Sequence, residues 1–266
     1  MKYSKTYFYL SYLYYKLRIP LDVKKGWVEV MAAEIIWFIN NLFKKKFKLS
    51  GIFERGYFET INGKFYVTPD IISIITLSPA FERLDSDELI NLVQKKINES
   101  KSILIVDIGA YFGDYTVKLG NRFKKDKKVK IYAFEPGTEY LSSQTLDQLK
   151  KNIKVNRLTN VKIFNFGIGS KKEKNKLGIS VRPLHLAINK NDYFKYDVVF
   201  VKLDIDDYVI DGLFGIQKAV ENFKEVYLLV EDFVKPKETL YFLEKHNYKF
   251  ITKLTPYNSF WVKHNE

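Results

Sequence analysis

The sequence predicts an α/β protein: a mostly parallel sheet with helices on both faces. Three observations carry that expectation. Short apolar runs at residues 103–106, 129–134, 161–166, 197–203 and 226–230 alternate with stretches of helical periodicity. Runs of that length without polar alternation read as strands buried on both faces. Most of them close in acids, at Asp107, Glu135, Asp204 and Glu231-Asp232. Finally, runs at 248–254 and 259–263 flank the turn Pro256-Tyr257-Asn258, so the chain ends in a hairpin that adds one antiparallel strand. At 266 residues and 46% hydrophobic, the chain has room for one large domain with an appendage. It contains no cysteine, which excludes disulfides, thiolate metal sites and a cysteine nucleophile.

The elements follow in order. Residues 1–20 lack a small-residue cleavage pattern and are crowded with tyrosine, unlike a signal peptide. No stretch of 18 apolar residues occurs, so no spanning helix is expected. Residues 28–43 form an amphipathic helix with Val30, Ile35, Trp37, Phe38 and Phe43 on its apolar positions, bracketed by Lys24-Lys25 and Lys44-Lys45-Lys46. Two readings stand: a helix lying in a membrane surface, or one that covers the main domain or a partner subunit. Residues 53–60 and 64–68 flank Ile61-Asn62-Gly63, a hairpin signal. Residues 85–97 read as a helix capped by Asp85 or Ser86, residues 138–155 as another, and residues 236–247 as a last one. This divides the chain into a basic, aromatic helical appendage (1–50) and a main domain (51–266) that begins with a hairpin and helix (51–100).

The net charge of +13 is uneven. Residues 1–50 carry +7 and residues 151–200 carry +8, whereas residues 201–266 carry −2. Only six of the 44 basic residues are arginine. Arginine dominates base-edge readout, so nucleic acid is disfavoured as a partner. The excess suits an outer face, for docking on a membrane or anionic partner, or for solubility.

In open α/β sheets, ligands bind beyond the carboxyl ends of strands, where strand order reverses. The first such turn reads Val106-Asp107-Ile108-Gly109-Ala110-Tyr111-Phe112-Gly113. It is Gly-x-x-x-Gly, an incomplete dinucleotide fingerprint. Glu135 ends the next strand, where a carboxylate can accept both hydroxyls of a ribose. A ribose-binding acid without a phosphate cradle points to a nucleoside ligand such as S-adenosylmethionine. With Ala133-Phe134-Glu135-Pro136, Val201-Lys202-Leu203-Asp204-Ile205-Asp206 and Ser78-Pro79-Ala80-Phe81-Glu82, the chain resembles the FkbM family of S-adenosylmethionine-dependent methyltransferases, within the class I seven-stranded fold. The match in order and spacing spans roughly residues 52–263. The resemblance implies that Asp107, Gly109, Ala110, Tyr111 and Gly113 line the methionine end of the cofactor, that Glu135 holds its ribose, and that Asn165 and Ile168 border the adenine. The expected location is cytoplasmic, with association at a membrane surface as the alternative. This chain departs from the family in carrying Tyr111 where asparagine is usual. Asp206-Asp207-Tyr208-Val209 replaces the usual Glu-Gly-x-Glu continuation.

Methyl transfer to a hydroxyl needs an in-line approach and a way to remove the acceptor proton. Asp204, Asp206 and Asp207, with Glu231 and Asp232, are expected to form a carboxylate cluster able to serve as base or to hold Mg²⁺. His185 is a further candidate base. The favoured acceptor is a glycan or small-molecule hydroxyl. Methylation of nucleic acid or protein, and a catalytically degenerate cofactor-binding module, remain open alternatives.

Overall fold

The computed structural model describes residue 10 and residues 13–43, 56–68, 70–137 and 144–265. The N-terminal part comprises α1 (Ile19–Asp22), β1 (Val23–Lys25) and α2 (Trp27–Phe43). Next comes the hairpin of β2 (Tyr57–Thr60) and β3 (Gly63–Tyr66), turning at Ile61-Asn62, with β1 adding antiparallel to β2. Helix α3 (Ile71–Ile75) starts at Asp70, whose carboxylate accepts from the Ser73 N–H at 2.9 Å. Helix α4 (Arg83–Asn98) leads into β4 (Ile103–Ile108), α5 (Asp114–Phe123), β5 (Val129–Phe134), α6 (Thr145–Val155) and β6 (Val161–Phe164). A small sheet follows, of β7 (Gly167–Ile168), β8 (Glu173–Lys174) and β9 (Ser180–Arg182), and then α7 (Lys190–Lys195). The chain closes with β10 (Val198–Leu203), α8 (Val209–Val220), β11 (Glu225–Glu231), α9 (Pro236–Lys245), β12 (Lys249–Thr252) and β13 (Asn258–His264).

The main sheet has seven strands in the order β12-β13-β11-β10-β4-β5-β6. β4 pairs parallel with β5 and β10, and every one of its residues is buried, as is every residue of β10. Burial on both faces is why these runs are apolar without alternation. β13 runs antiparallel to both β11 and β12, so the terminal hairpin inserts the one reversed strand that its turn predicts. Helices cover both faces. One side buries Leu203, Leu213, Phe242 and Leu243 in a common apolar cluster, and the other buries Leu89, Val93, Leu119 and Phe123.

The N-terminal elements share a third cluster with the sheet domain. Ile19, Val23, Val30 and Ala33 are buried together with Phe58 and Phe65 of the hairpin and Phe112 and Val117 at the start of α5. The boundary at residue 50/51 lies outside the described residues, as do residues 138–143 at the start of the expected helix 138–155. The hairpin is also clamped by α6 (Asn152 and Asn156, one turn apart). The Asn152 amide accepts from the Tyr66 N–H at 2.6 Å and donates to the Tyr66 carbonyl at 3.0 Å. Asn156 does the same to Lys64, at 3.0 and 2.7 Å. Two side chains thus replace a missing strand along the free edge of β3.

Helix α4 starts two residues before the expected Asp85. Its first flanking residue is Glu82, at φ 45, with no side-chain cap. Asp85 is fully buried instead, accepting from Thr255 Oγ1 at 2.6 Å and Asn258 Nδ2 at 3.0 Å. The capping expectation fails because a distant loop, not the helix's own first turn, claims this carboxylate.

Candidate functional site

The chain runs outward from β4 to β6, then returns to the other side of β4 as β10. Strand order therefore reverses between β4 and β10, the crevice where open sheets bind ligands. Two loops meet at that point. Gly109, at φ +81, follows β4, and a Cβ there would lie 1.9 Å from the carbonyl oxygen of Asp204, which follows β10. Only glycine allows this approach, because both the φ and the space exclude a side chain. The turn is held from the other side by Gly109 and Ala110 N–H groups donating to the Phe134 carbonyl, each at 3.1 Å.

Tyr111 also sits at positive φ (51), a conformation asparagine adopts more readily than tyrosine. The usual asparagine of the resembled family would suit that backbone. Tyr111 instead sends its ring away from the strand tips, against Phe112, and its hydroxyl to Ser73 Oγ at 2.8 Å. The departure thus ties the turn to α3.

Glu135 is buried at the tip of β5. Its carboxylate accepts from the Tyr111 N–H and Gly137 N–H, both at 2.9 Å, and from Thr145 Oγ1 at 3.1 Å. Burial pushes its pKa up, against these donors. A carboxylate offers about four lone-pair positions. Three are engaged, so holding both hydroxyls of a ribose requires one donor to yield. Asp107, buried within β4, accepts from Thr116 through one oxygen, while its Oδ1 has no hydrogen-bond partner. Burial raises its pKa as well.

A dense group of acids surrounds one buried ammonium. Lys202 Nζ lies 2.7 Å from Asp204 Oδ2 and 4.6 Å from the centre of the Tyr115 ring. Carboxylate oxygens of Glu82, Asp204 and Glu231 lie within 4.8 Å of one another. Burial alone would raise Asp204, but the Lys202 charge outweighs it and holds this carboxyl below its ordinary value. Glu231 moves the other way: burial first, then the Asp204 charge, pushes it up to about 10. The two carboxyls titrate as a pair, with Lys202 favouring the charge on Asp204. Burial also raises Glu82, and it takes Asp114, the first residue of α5, to about 7. For Lys202, burial opposes the charge, yet Asp204 and Asp107 hold it firmly protonated.

These residues do not fit Mg²⁺ as they stand. The Lys202 ammonium, 2.7 Å from Asp204 Oδ2, already supplies the positive charge a cation would bring to this carboxylate.

The sequence-based candidates therefore divide. Gly109, Ala110, Tyr111, Gly113 and Glu135 meet around one turn, and Asp107 and Asp204 lie beside it on neighbouring strands. Asp206 and Asp207 are exposed in a 3₁₀ turn entering α8, neither capping that helix with its side chain. Burial, then the charges of Asp204 and Asp207, raise Asp206. Asp232, next to Glu231 in the chain, pairs with Lys253. His185 does not join it. It sits in the 3₁₀ turn Leu184–Leu186, which packs on α8, and burial, then the Lys218 charge, lowers its pKa. Asn165 is exposed just beyond β6, whereas Ile168 is buried in the same apolar cluster as Phe134 and Leu184.

Sequence reasoning missed Glu82 and Asp114 as members of the acidic group. Glu82 lies 122 positions from Asp204 in the chain, and its only signal was its place in Ser78-Pro79-Ala80-Phe81-Glu82. A cavity lined by Ser78, Glu82, Arg83, Asp114, Tyr115 and Lys118 adjoins the acids on the hairpin side.

No protein-family model matches the chain, and no curated protein matches it. Among solved structures, the chain is similar to an S-adenosylmethionine-dependent methyltransferase from Aquifex aeolicus, at 15% identity and TM-score 0.39, over 63% of this chain and 87% of that one. It is similar to an rRNA methylase from Streptococcus thermophilus, at 11% identity and TM-score 0.39, over 62% and 89%. A third is magnesium protoporphyrin IX methyltransferase from Synechocystis with bound S-adenosylmethionine, at 12% identity and TM-score 0.40, over 68% and 80%.

Proposed function

We propose that the chain is an S-adenosylmethionine-dependent methyltransferase that acts on a hydroxyl of a glycan or small molecule. One observation carries the reading. The glycine turn after β4 and the Glu135 carboxylate after β5 are joined by the 2.9 Å bond from the Tyr111 N–H, beside the point where strand order reverses. A buried acid, a close-approach backbone and further acids gathered beside one crevice support the reading. The motif resemblance to FkbM methyltransferases supports the same reading.

When bound, S-adenosylmethionine supplies an activated methyl group on a sulfonium. In this reading Glu135 anchors the ribose, exchanging one of its present donors for a hydroxyl. The backbone of Gly109-Ala110-Tyr111 lies alongside, and Asp107, with its free oxygen, borders the polar end. On the acceptor side, Asp204, ionised beside Lys202, is the carboxylate that takes the acceptor's proton. An acceptor oxygen would bond the methyl carbon with one of its own lone pairs, the C–S pair would stay on sulfur, and the O–H pair would remain on oxygen as Asp204 takes the proton. Asp206 contributes at the exposed rim. His185 has no part in this step.

Isothermal titration with S-adenosylhomocysteine tests the cofactor half. Wild type should bind, and Glu135→Ala should bind at least about tenfold more weakly, the loss of a charge-assisted pair. No binding by a folded wild type overturns the proposal. For the acceptor half, Asp204→Asn should keep cofactor affinity within about threefold while methyl transfer to a glycan panel falls about 10²–10⁴-fold. Equal turnover in the variant would remove Asp204 from the chemistry.

A further inference from the structure

The N-terminal helices bury one side and leave another bare. On α2, Trp27, Val28, Met31, Ile35 and Phe38 are all exposed, Phe38 by 58%. At 100° per residue these five fall within an arc of about 100°, a full apolar stripe. Val30 and Ala33, on the opposite arc, are the residues that enter the core. Thus α2 has two apolar sides, of which the fold uses one.

The preceding segment repeats the pattern. Leu10, Leu13, Tyr14, Leu17 and Leu21 are exposed, Leu17 by 76%, at helical spacings of three and four. A 3.3 Å ion pair from Lys16 to Glu34 ties this segment alongside α2. Among the described residues, then, two neighbouring segments each present a stripe of large apolar side chains to solvent. Isolated exposed apolar residues are ordinary, but two aligned stripes are not.

Charge decides what covers them. Lys24 and Lys25 are exposed and line one shallow hollow together with Trp27 and Val28 at the start of the stripe. Arg18 is exposed beside Tyr14, its guanidinium 5.5 Å from the ring centre. In sequence, Lys2, Lys5 and Lys44-Lys45-Lys46 flank the same region, and residues 1–50 carry +7. Apolar stripes bordered by exposed lysine and arginine match the layering of an anionic bilayer surface, acyl boundary beneath phosphate. Leucine, tryptophan and phenylalanine enter the acyl boundary there, while lysine and arginine stems reach back to the phosphates. No described helix is long and apolar enough to cross a membrane. We infer that the exposed stripes of residues 10–38 dock the protein in the plane of an anionic lipid surface.

Co-sedimentation of the full chain with phosphatidylcholine vesicles containing 30% phosphatidylserine tests this. Binding should exceed that to pure phosphatidylcholine by at least about tenfold and weaken steeply with salt. The variant Ile35→Asp/Phe38→Asp should lose vesicle binding while its circular dichroism spectrum and unfolding midpoint match wild type, since both side chains face solvent. Lys24→Glu/Lys25→Glu should abolish the preference for phosphatidylserine. Analytical ultracentrifugation supplies the opposing outcome. A dimer that Ile35→Asp/Phe38→Asp converts to monomer would assign the stripes to a second copy and overturn the inference. So would vesicle binding that neither variant changes, or none at all by wild type.

Discussion

Gly109 shows how one residue can serve the fold and the candidate site together. Its missing Cβ is what lets the turn after β4 touch the carbonyl of Asp204, and through that contact the two strand tips meet. Gly109→Ala combines a strained φ of +81 with a 1.9 Å clash against backbone, which cannot move aside as a flexible side chain could. We expect it to lower stability by about 2–5 kcal/mol in urea unfolding; a change below about 0.5 kcal/mol would mean the strand tips separate freely. Asp85 is the second case. Burial pushes its carboxyl from 3.8 to about 7, with Thr255 and Asn258 opposing and Oδ1 unpartnered. A raised acid holds its proton longer in the folded chain. Its contribution is complete below the unfolded value and is lost as pH rises through about 7. Asp85→Asn removes the titration, so the variant should gain on wild type by up to about 4 kcal/mol between about pH 4 and pH 8. Unfolding curves across that range check it, and a pH-independent difference would refute it.

At the scale of elements, α6 and the β2–β3 hairpin depend on each other. Asn152 satisfies both backbone groups of Tyr66 and also donates to the Phe112 carbonyl at 2.9 Å, while fully buried itself. Asn152→Leu keeps much of the volume but leaves three buried polar groups without a partner. The expected cost is about 2–4 kcal/mol, and hydrogen exchange at the Tyr66 amide should accelerate far more than at β4. Uniform protection of both would contradict the clamp. The hairpin itself was legible, because Asn62-Gly63 has few other uses between strand-like runs. The main strands were legible too, since central strands buried on both faces leave an unbroken apolar signature. The small β7-β9-β8 sheet was not. Its strands are two or three residues long, too short for any period to register. Nor was the β3 edge clamp, which joins residues 86 and 92 positions apart.

At the scale of the whole molecule, the first fifty residues are the main question. Ile19, Val23, Val30 and Ala33 are buried with Phe58, Phe65 and Phe112, so removing residues 1–50 would expose the cluster beneath the glycine turn. We predict that the truncated chain loses at least about 10 °C in unfolding midpoint, given several core side chains at roughly 1.5–3 kcal/mol each. An unchanged midpoint would mark the segment as separable. The sequence by itself determined the α/β class, the terminal hairpin, the glycine turn and the acids at the strand tips, because each is written in a local run or a near-neighbour spacing. Tertiary structure alone decided that Glu82 and Asp114 join Asp204 around Lys202, and that Asp85 is a buried acceptor instead of a cap. It also decided that His185 sits in a 3₁₀ turn packed on α8 and that α2 has a second, bare apolar side. Each of these depends on which distant segments share a desolvated space, and burial and charge at that range leave no periodic trace in the chain.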